Sequence, residues 1–255
     1  MKFTENFANR LVNLACGLMG LVLASSLQAQ TPGKAEVRAI KGRASYSAQG
    51  GALAPLKAGT VLYSGSTIKT ESGSTVDLFL GNSAGFVRIA ENTTLGLDKL
   101  AFTETGADTV VEVQMNLPDG TILGNVNKLS AASKYEVKVP NGVAGIRGTR
   151  YRISSTGYVV LLEGSLIMVY VPPGGQPTPY PLFAPPAQVF SPPTGVTALD
   201  PAQLPIIRNE FPAGPSEFPP PTLARPIDPL PFIPPSPTLP AAPAAPAAPA
   251  TPTAN

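Results

Sequence analysis

Proline is spread so unevenly along this chain that it divides the sequence before any motif is read. Of 31 prolines in 255 residues, four precede Val171, at positions 32, 55, 118 and 140, and the other 27 fall in residues 171 to 255. Each proline removes a backbone N–H and fixes φ, which breaks helices and interior sheet ladders alike. The sequence therefore predicts a folded part that ends at Val171 and, over residues 172–255, a disordered proline-rich tail with polyproline II bias. Its last stretch, in which Pro243, Pro246 and Pro249 are separated by Ala-Ala, is low complexity and reads as a spacer.

Ahead of Val171 the pattern has a period of two. In Val111-Glu112-Val113-Gln114-Met115-Asn116-Leu117 the apolar residues take the odd positions and the polar ones the even, the signature of a strand buried on one face. Tyr135 to Val139 and Arg150 to Ser154 repeat it, and Val76 to Leu80 and Phe86 to Ile89 read as strands with more apolar faces, joined by a short connection over Gly81 to Gly85. No stretch sustains the i, i+3, i+4, i+7 stripe of a major helix. Gly59-Thr60-Val61, Gly120-Thr121-Ile122 and Gly164-Ser165-Leu166 each open a strand on a glycine, which permits a tight turn with positive φ. The expected fold is all-β: a sandwich, a roll or a short β-solenoid of about ten short strands.

The start of the chain reads as an export signal over residues 1–29. Lys2 and Arg10 form a basic opening, Leu11 to Leu27 is mostly apolar, and Leu27-Gln28-Ala29 suits signal peptidase. The apolar run falls short of the roughly 20 residues that a spanning helix needs, so no stable membrane span is expected after cleavage. Cys16, the single cysteine, sits mid-run and leaves with the signal. The implied location is periplasmic or secreted, reached without disulfides.

Composition removes much chemistry. With no histidine and no cysteine in the mature chain, neither a Ser-His-Asp nor a Cys-His nucleophile can be built, and no imidazole metal ligand exists. No enzyme activity, cofactor or metal is expected. The net charge of +2 is small and no basic stripe tracks along the chain, so nucleic acid is not an expected partner. Arg147, Arg150 and Arg152 are the densest basic group, and the spacing of the last two reads as a solvated strand face. Asp77, Glu91, Asp98 and Asp119 lie beside turns or strand ends, where such acids face water or cap turns. A carboxylate pair for glycoside hydrolysis would need a separation that sequence cannot set. A sugar-binding surface would have to use Tyr46, Tyr63 or Tyr158, since tryptophan is absent.

Three stretches carry a resemblance. Gly42-Arg43-Ala44, Pro55 to Gly59 and Leu62 to Thr70 resemble the opening of the FecR domain; Asn141 to Tyr151, with Ala144-Gly145-Ile146-Arg147-Gly148-Thr149 at its centre, is similar to the family's A-G-I/V-R-G-T motif; and Val160 to Leu166 is similar to its closing V-x-x-x-E-G-x-V unit. The resemblance spans residues 34–171. It implies an extracytoplasmic β-rich domain, which in the founding members relays a signal from an outer-membrane receptor to a sigma factor. Only ten residues precede the apolar stretch, so an anti-sigma segment is not expected, and a proline-rich tail stands where a receptor-contacting module would be. The implied role is an exported stand-alone binding or scaffold module whose partner is a protein or envelope component; a sensor part of sigma-factor signalling and a glycan-binding module are the alternatives. The motif residues Gly145, Arg147, Gly148, Thr149, Glu163 and Gly164 are expected to be structural, with Arg147 reaching backbone carbonyls or Glu163 and Thr149 adding its hydroxyl to the same turn.

Overall fold

The computed structural model describes residues 31–104 and 108–211. The expected signal at 1–29, with Cys16, and the part of the expected tail from 212 to 255 lie outside the described residues. Seventeen strands and one short helix are found among the described residues. In chain order they are β1 (Thr31–Pro32), β2 (Lys34–Lys41), β3 (Ala44–Ser47), β4 (Ala54–Pro55), β5 (Val61–Tyr63), β6 (Ser66–Thr70), β7 (Thr75–Phe79), β8 (Phe86–Ile89), β9 (Thr94–Glu104), β10 (Thr109–Asp119), β11 (Thr121–Asn125), β12 (Lys134–Val139), β13 (Gly142–Ser154), β14 (Val159–Tyr170), β15 (Thr178–Ala184), β16 (Gln188–Ser191), β17 (Gly195–Ala198) and α1 (Leu204–Glu210).

The all-β expectation holds, and of the three architectures left open the protein adopts the roll: one sheet curled around one core. Two arms of paired strands grow from β13. Its first half pairs with β12, and from there the ladder runs through β10, β9 and β6 to β3. Its second half pairs with β11, and from there the ladder runs through β8 and β7 to β2. Because β2 continues into β3 through Gly42 and Arg43, the chain itself joins the far ends of the two arms. The alternation read in the sequence aims Val111, Val113, Met115 and Leu117 of β10 into this core, all fully buried. Each such side chain stabilises the fold by about 1.5–3 kcal/mol relative to exposure.

Where the chain steps from arm to arm the ladder is interrupted, and buried hydroxyls take over. Ser74 Oγ accepts from the Arg43 N–H at 2.9 Å, Thr70 Oγ1 donates to the Ala90 carbonyl at 2.6 Å, and Thr93 Oγ1 accepts from the Thr121 N–H at 3.0 Å. These polar groups are buried, and their hydrogen bonds offset the cost of desolvating the corner. The strands are also more numerous and some much longer than expected, with 13 residues in β13 and 12 in β14. A strand that bends at a bulge can run through a corner, so turn spacing in the sequence does not count strands.

The ordered part does not stop at Val171. Strand β15 pairs along its whole length with β14, β16 pairs with the start of β14, and β17 pairs with β16. Proline is compatible with this because, among the described residues, β15 carries a ladder on one side only. In an antiparallel strand alternate residues send their N–H groups to opposite edges, so Pro179 and Pro181 both fall at positions of one parity and leave Thr178, Tyr180 and Leu182 for the other. In α1, Pro205 stands in the first turn, where its missing N–H would have no intrahelical partner. Leu182 and Phe190 enter the main core, while Val189, Leu199, Ile207 and Phe211 form a second apolar cluster with Leu123, Val160 and Leu162. That cluster seats α1 on the outer face of the second arm.

Candidate functional site

The motif around Arg147 is a bend built from two glycines. In the β13–β14 ladder Ile146 pairs with Leu166 and Thr149 with Gly164, which leaves one extra residue on β13; Arg150 pairs with Glu163 and Tyr151 with Leu161, which leaves one extra on β14. Two bulges on opposite strands thus follow one another, and the hairpin passes from the first arm to the second at this point. Gly148 has φ of +96° and Gly164 has φ of +89°. A Cβ on Gly164 would overlap the Gly148 carbonyl oxygen, and a Cβ on Gly148 would lie 2.7 Å from Lys128 Cα. Only glycine allows the two strands to cross here. Gly145, by contrast, is not at positive φ, and a Cβ there would meet only the Ile167 carbonyl oxygen, at 3.9 Å.

Of the two partners expected for Arg147, the structure shows a backbone carbonyl and not Glu163, and the Thr149 hydroxyl does not join them. Arg147 is exposed and donates one hydrogen bond, from Nη1 to the Ala131 carbonyl at 3.1 Å. Glu163 pairs with Arg150 instead, at 3.5 Å. The bulge explains the exchange, because it shifts register by one residue and puts Arg150 opposite Glu163. Thr149 is buried, and no hydrogen-bond partner is found for its Oγ1 among the described residues; its backbone holds the corner by exchanging hydrogen bonds with Val126 at 2.9 and 3.0 Å.

Arg150 and Arg152 do share one outward face, but that face is not left to solvent. Arg150 Cζ lies 5.3 Å from the centre of the Phe211 ring, and Arg152 Nη1 lies 3.3 Å from Glu210 Oε2. A third arginine, which the sequence did not single out, completes the arrangement. Arg88 on β8 grips Asp77 on β7 through Nε–Oδ1 and Nη2–Oδ2, at 2.7 and 2.8 Å, and its Nη1 donates to the carbonyls of Glu210 and Phe211 at 2.9 and 3.2 Å. The hydrogen bond to Asp77 raises the Arg88 pKa further above its ordinary value, with burial opposing. Cations at the end of α1 meet its unpaired carbonyls and the negative end of its dipole. The Arg88–Glu210 contact joins residues 122 positions apart, and no local pattern signals it.

The four acids singled out in the sequence have separate duties. Asp77 is buried against Arg88, Asp98 pairs with Lys138 at 3.2 Å, and Glu91 accepts from the Gly73 N–H. No such bond is found for Asp119 among the described residues. No group of three or more His, Cys, Asp or Glu that could hold a metal ion is found among the described residues. No helix among them is long and apolar enough to cross a membrane, a statement that does not extend to strands.

Of the three tyrosines, Tyr46 is half-buried against the main core and Tyr158 half-buried against the second cluster. Tyr63 is 53% exposed on the short strand β5. It borders a cleft of about 740 Å³, together with Phe79, Phe102, Lys34, Glu36 and Asn82. Its volume falls within the range of ligand sites, and its lining is mixed, with Tyr63, Phe79, Leu80 and Phe102 set among Lys34, Glu36, Asn82 and Glu104. β5 places Tyr63 there because its alternation buries Leu62 and turns Val61 and Tyr63 outward. The motif residues lie elsewhere and contribute nothing to this cleft.

Comparison with known families gives one match: residues 66–166 fit the model described as FecR protein. No curated protein and no solved structure matches the chain. The matched residues run from β6 into β14 and include the twin-glycine bend, whereas the Gly42 and Gly59 turns precede them. Residues 66–166 thus match the FecR domain.

Proposed function

We propose that this protein is an exported, non-enzymatic binding or scaffold module of the bacterial cell envelope, in which the rolled domain holds a protein or envelope component in the Tyr63 cleft. The match of residues 66–166 to the FecR family supports an envelope role. The observation that carries the reading is the cleft itself, about 740 Å³ lined by Tyr63, Phe79 and Phe102. The residues after the described domain then serve as a spacer, and export follows from the basic and apolar start of the chain. The decisive experiment uses the full chain as bait on envelope extract, with captured components identified by mass. Capture by the wild type and loss with Tyr63→Ala supports the reading. Equal capture by both, or capture of nothing, overturns it.

A second reading is favoured by the family match: the domain acts as the sensor component of envelope signal transduction linked to sigma-factor regulation. Co-purification with a membrane protein, abolished in the Tyr63→Ala variant, would favour it over a passive scaffold. The glycan-binding alternative rests on the exposed Tyr63 ring, and retention on a peptidoglycan column tests it directly.

A further inference from the structure

The outer face of β13, β14 and β15 is apolar where a solvated sheet face would be polar. Strand β14 buries Leu166 and Met168 and turns Ile167 outward, 49% exposed. Ile167 stands between Gly145 on β13 and Pro181 on β15. The next row outward is Val143, Val169 and Pro179, and the row on the other side ends in Phe183, which is 61% exposed. Val143 and Val169 are half-buried, while Ile167 and Phe183 stand open, and no apolar cluster like the one beneath α1 is found over them among the described residues.

Gly145 marks the centre. It forms the floor of a hollow of about 190 Å³ walled by Lys134, Glu136, Arg147 and Ile167. The backbone does not demand glycine here, since φ is not positive and a Cβ would make only an ordinary contact. What the missing side chain supplies is depth, open to a group from outside. Arg147 stands at the rim, exposed, hydrogen-bonded to the Ala131 carbonyl and joined to no carboxylate in an ion pair among the described residues. Lys134 and Glu136, by contrast, pair with each other at 3.3 Å. The hollow is smaller than the roughly 300 Å³ at which small-molecule pockets begin, and it suits a single inserted side chain.

We infer that this face docks a segment of another protein, which places one apolar side chain over Gly145, sets a carboxylate against Arg147 and packs along Ile167 and Phe183. An exposed guanidinium beside aliphatic surface recognises a carboxylate through paired hydrogen bonds, and an aromatic such as Phe183 is a usual anchor of an interface centre. This surface shares no residue with the Tyr63 cleft, so the inference goes beyond the proposed function and can fail without it.

The test is an array of synthetic extended heptapeptides carrying one Leu followed within two positions by Glu, with matched arrays in which Glu is replaced by Lys or Leu by Ser. Binding of the full chain is measured by fluorescence, and melting temperatures are recorded for every variant. Leu/Glu peptides are expected to bind at least tenfold tighter than either control. Gly145→Leu, which fills the hollow, and Arg147→Glu are each expected to remove that preference at an unchanged melting temperature, while Tyr63→Ala keeps it. Should Gly145→Leu alone disturb folding, Gly145→Ala with a partial, severalfold loss serves the same purpose. Indifference of binding to the Glu-to-Lys change, or retention by Gly145→Leu, overturns the inference. So does sedimentation that shows a dimer of the chain dispersed by Ile167→Glu, because a second copy would then occupy the face.

Discussion

Arg88 and Asp77 face each other across the β7–β8 hairpin with two parallel hydrogen bonds of 2.7 and 2.8 Å, and the remaining guanidinium nitrogen holds the last carbonyls of α1. One residue therefore ties the strand ladder to the segment that follows it 122 positions later. Asp77 is 6% exposed, so the guanidinium takes the place of the water its carboxylate has lost. Replacing Arg88 by Ala leaves a nearly buried carboxylate unpaired and frees the end of α1. The expected loss is about 2–4 kcal/mol, read from urea denaturation. A loss below about 0.5 kcal/mol would show that water replaces the guanidinium.

The twin glycines should be far less tolerant than Gly145. Gly148→Ala and Gly164→Ala each put a Cβ on a residue at positive φ and against backbone, with an expected cost of at least about 1–3 kcal/mol. Gly145→Ala should change stability by less than about 0.5 kcal/mol. Thermal melting of the three variants side by side checks this order, and equal melting points would contradict the bend described here.

Arg147 and Arg152 should rank opposite to a motif-based expectation. Arg147 is exposed and holds one carbonyl, while Arg152 reaches Glu210 on α1. Arg147→Ala should lie within about 0.5 kcal/mol of wild type. Arg152→Ala should cost slightly more, though its ion pair is partly screened by solvent. The comparison is a pair of denaturation curves at low salt.

Truncation locates the true end of the domain. Removing residues 172–255 takes away Leu182 and Phe190 from the main core and Ile207 and Phe211 from the second cluster, each worth about 1.5–3 kcal/mol. That sum rivals the whole stability of an ordinary domain, so the truncated chain should not show a cooperative melt. A chain ended after Phe218 keeps every described contact and should melt as the full chain does.

Tyr135 and Tyr151 lie side by side in the core, fully buried, and among the described residues neither hydroxyl has a well-formed hydrogen-bond partner. Burial raises both phenols well above their ordinary value, and the neighbouring Tyr135 raises Tyr151 further. Below about pH 10 both are neutral folded and unfolded alike, and stability is unaffected. Above it the unfolded chain releases protons that the folded chain retains, so stability should fall by up to about 1.4 kcal/mol per pH unit for each phenol. Tyr135→Phe should remove one such contribution from the slope of stability against pH between about 10 and 12.

The sequence by itself determined the all-β class. Alternation over Val111 to Leu117 or Tyr135 to Val139 depends only on which neighbours face a core, and that is a property of a strand alone. It also determined two places where the chain turns, because Gly59 and Gly120 occupy positive φ between strands; Gly164 has positive φ too, but it lies inside β14 at the bulge and does not open a strand. The family stretch from Asn141 to Tyr151 was legible for the same local reason: the bend needs glycine whatever packs around it.

Only the tertiary structure decided the rest. Which arginine meets Glu163 depends on a bulge that shifts register by one residue, and local spacing does not encode register. Whether Arg150 and Arg152 face water depends on α1, which arrives from beyond residue 200. Proline in β15 is tolerated because, among the described residues, only one of its edges carries a ladder, so the proline count that divides the sequence at Val171 does not divide the fold there. Edge position, register and the covering of a face are relations between distant segments, and they exist only once the sheet has rolled.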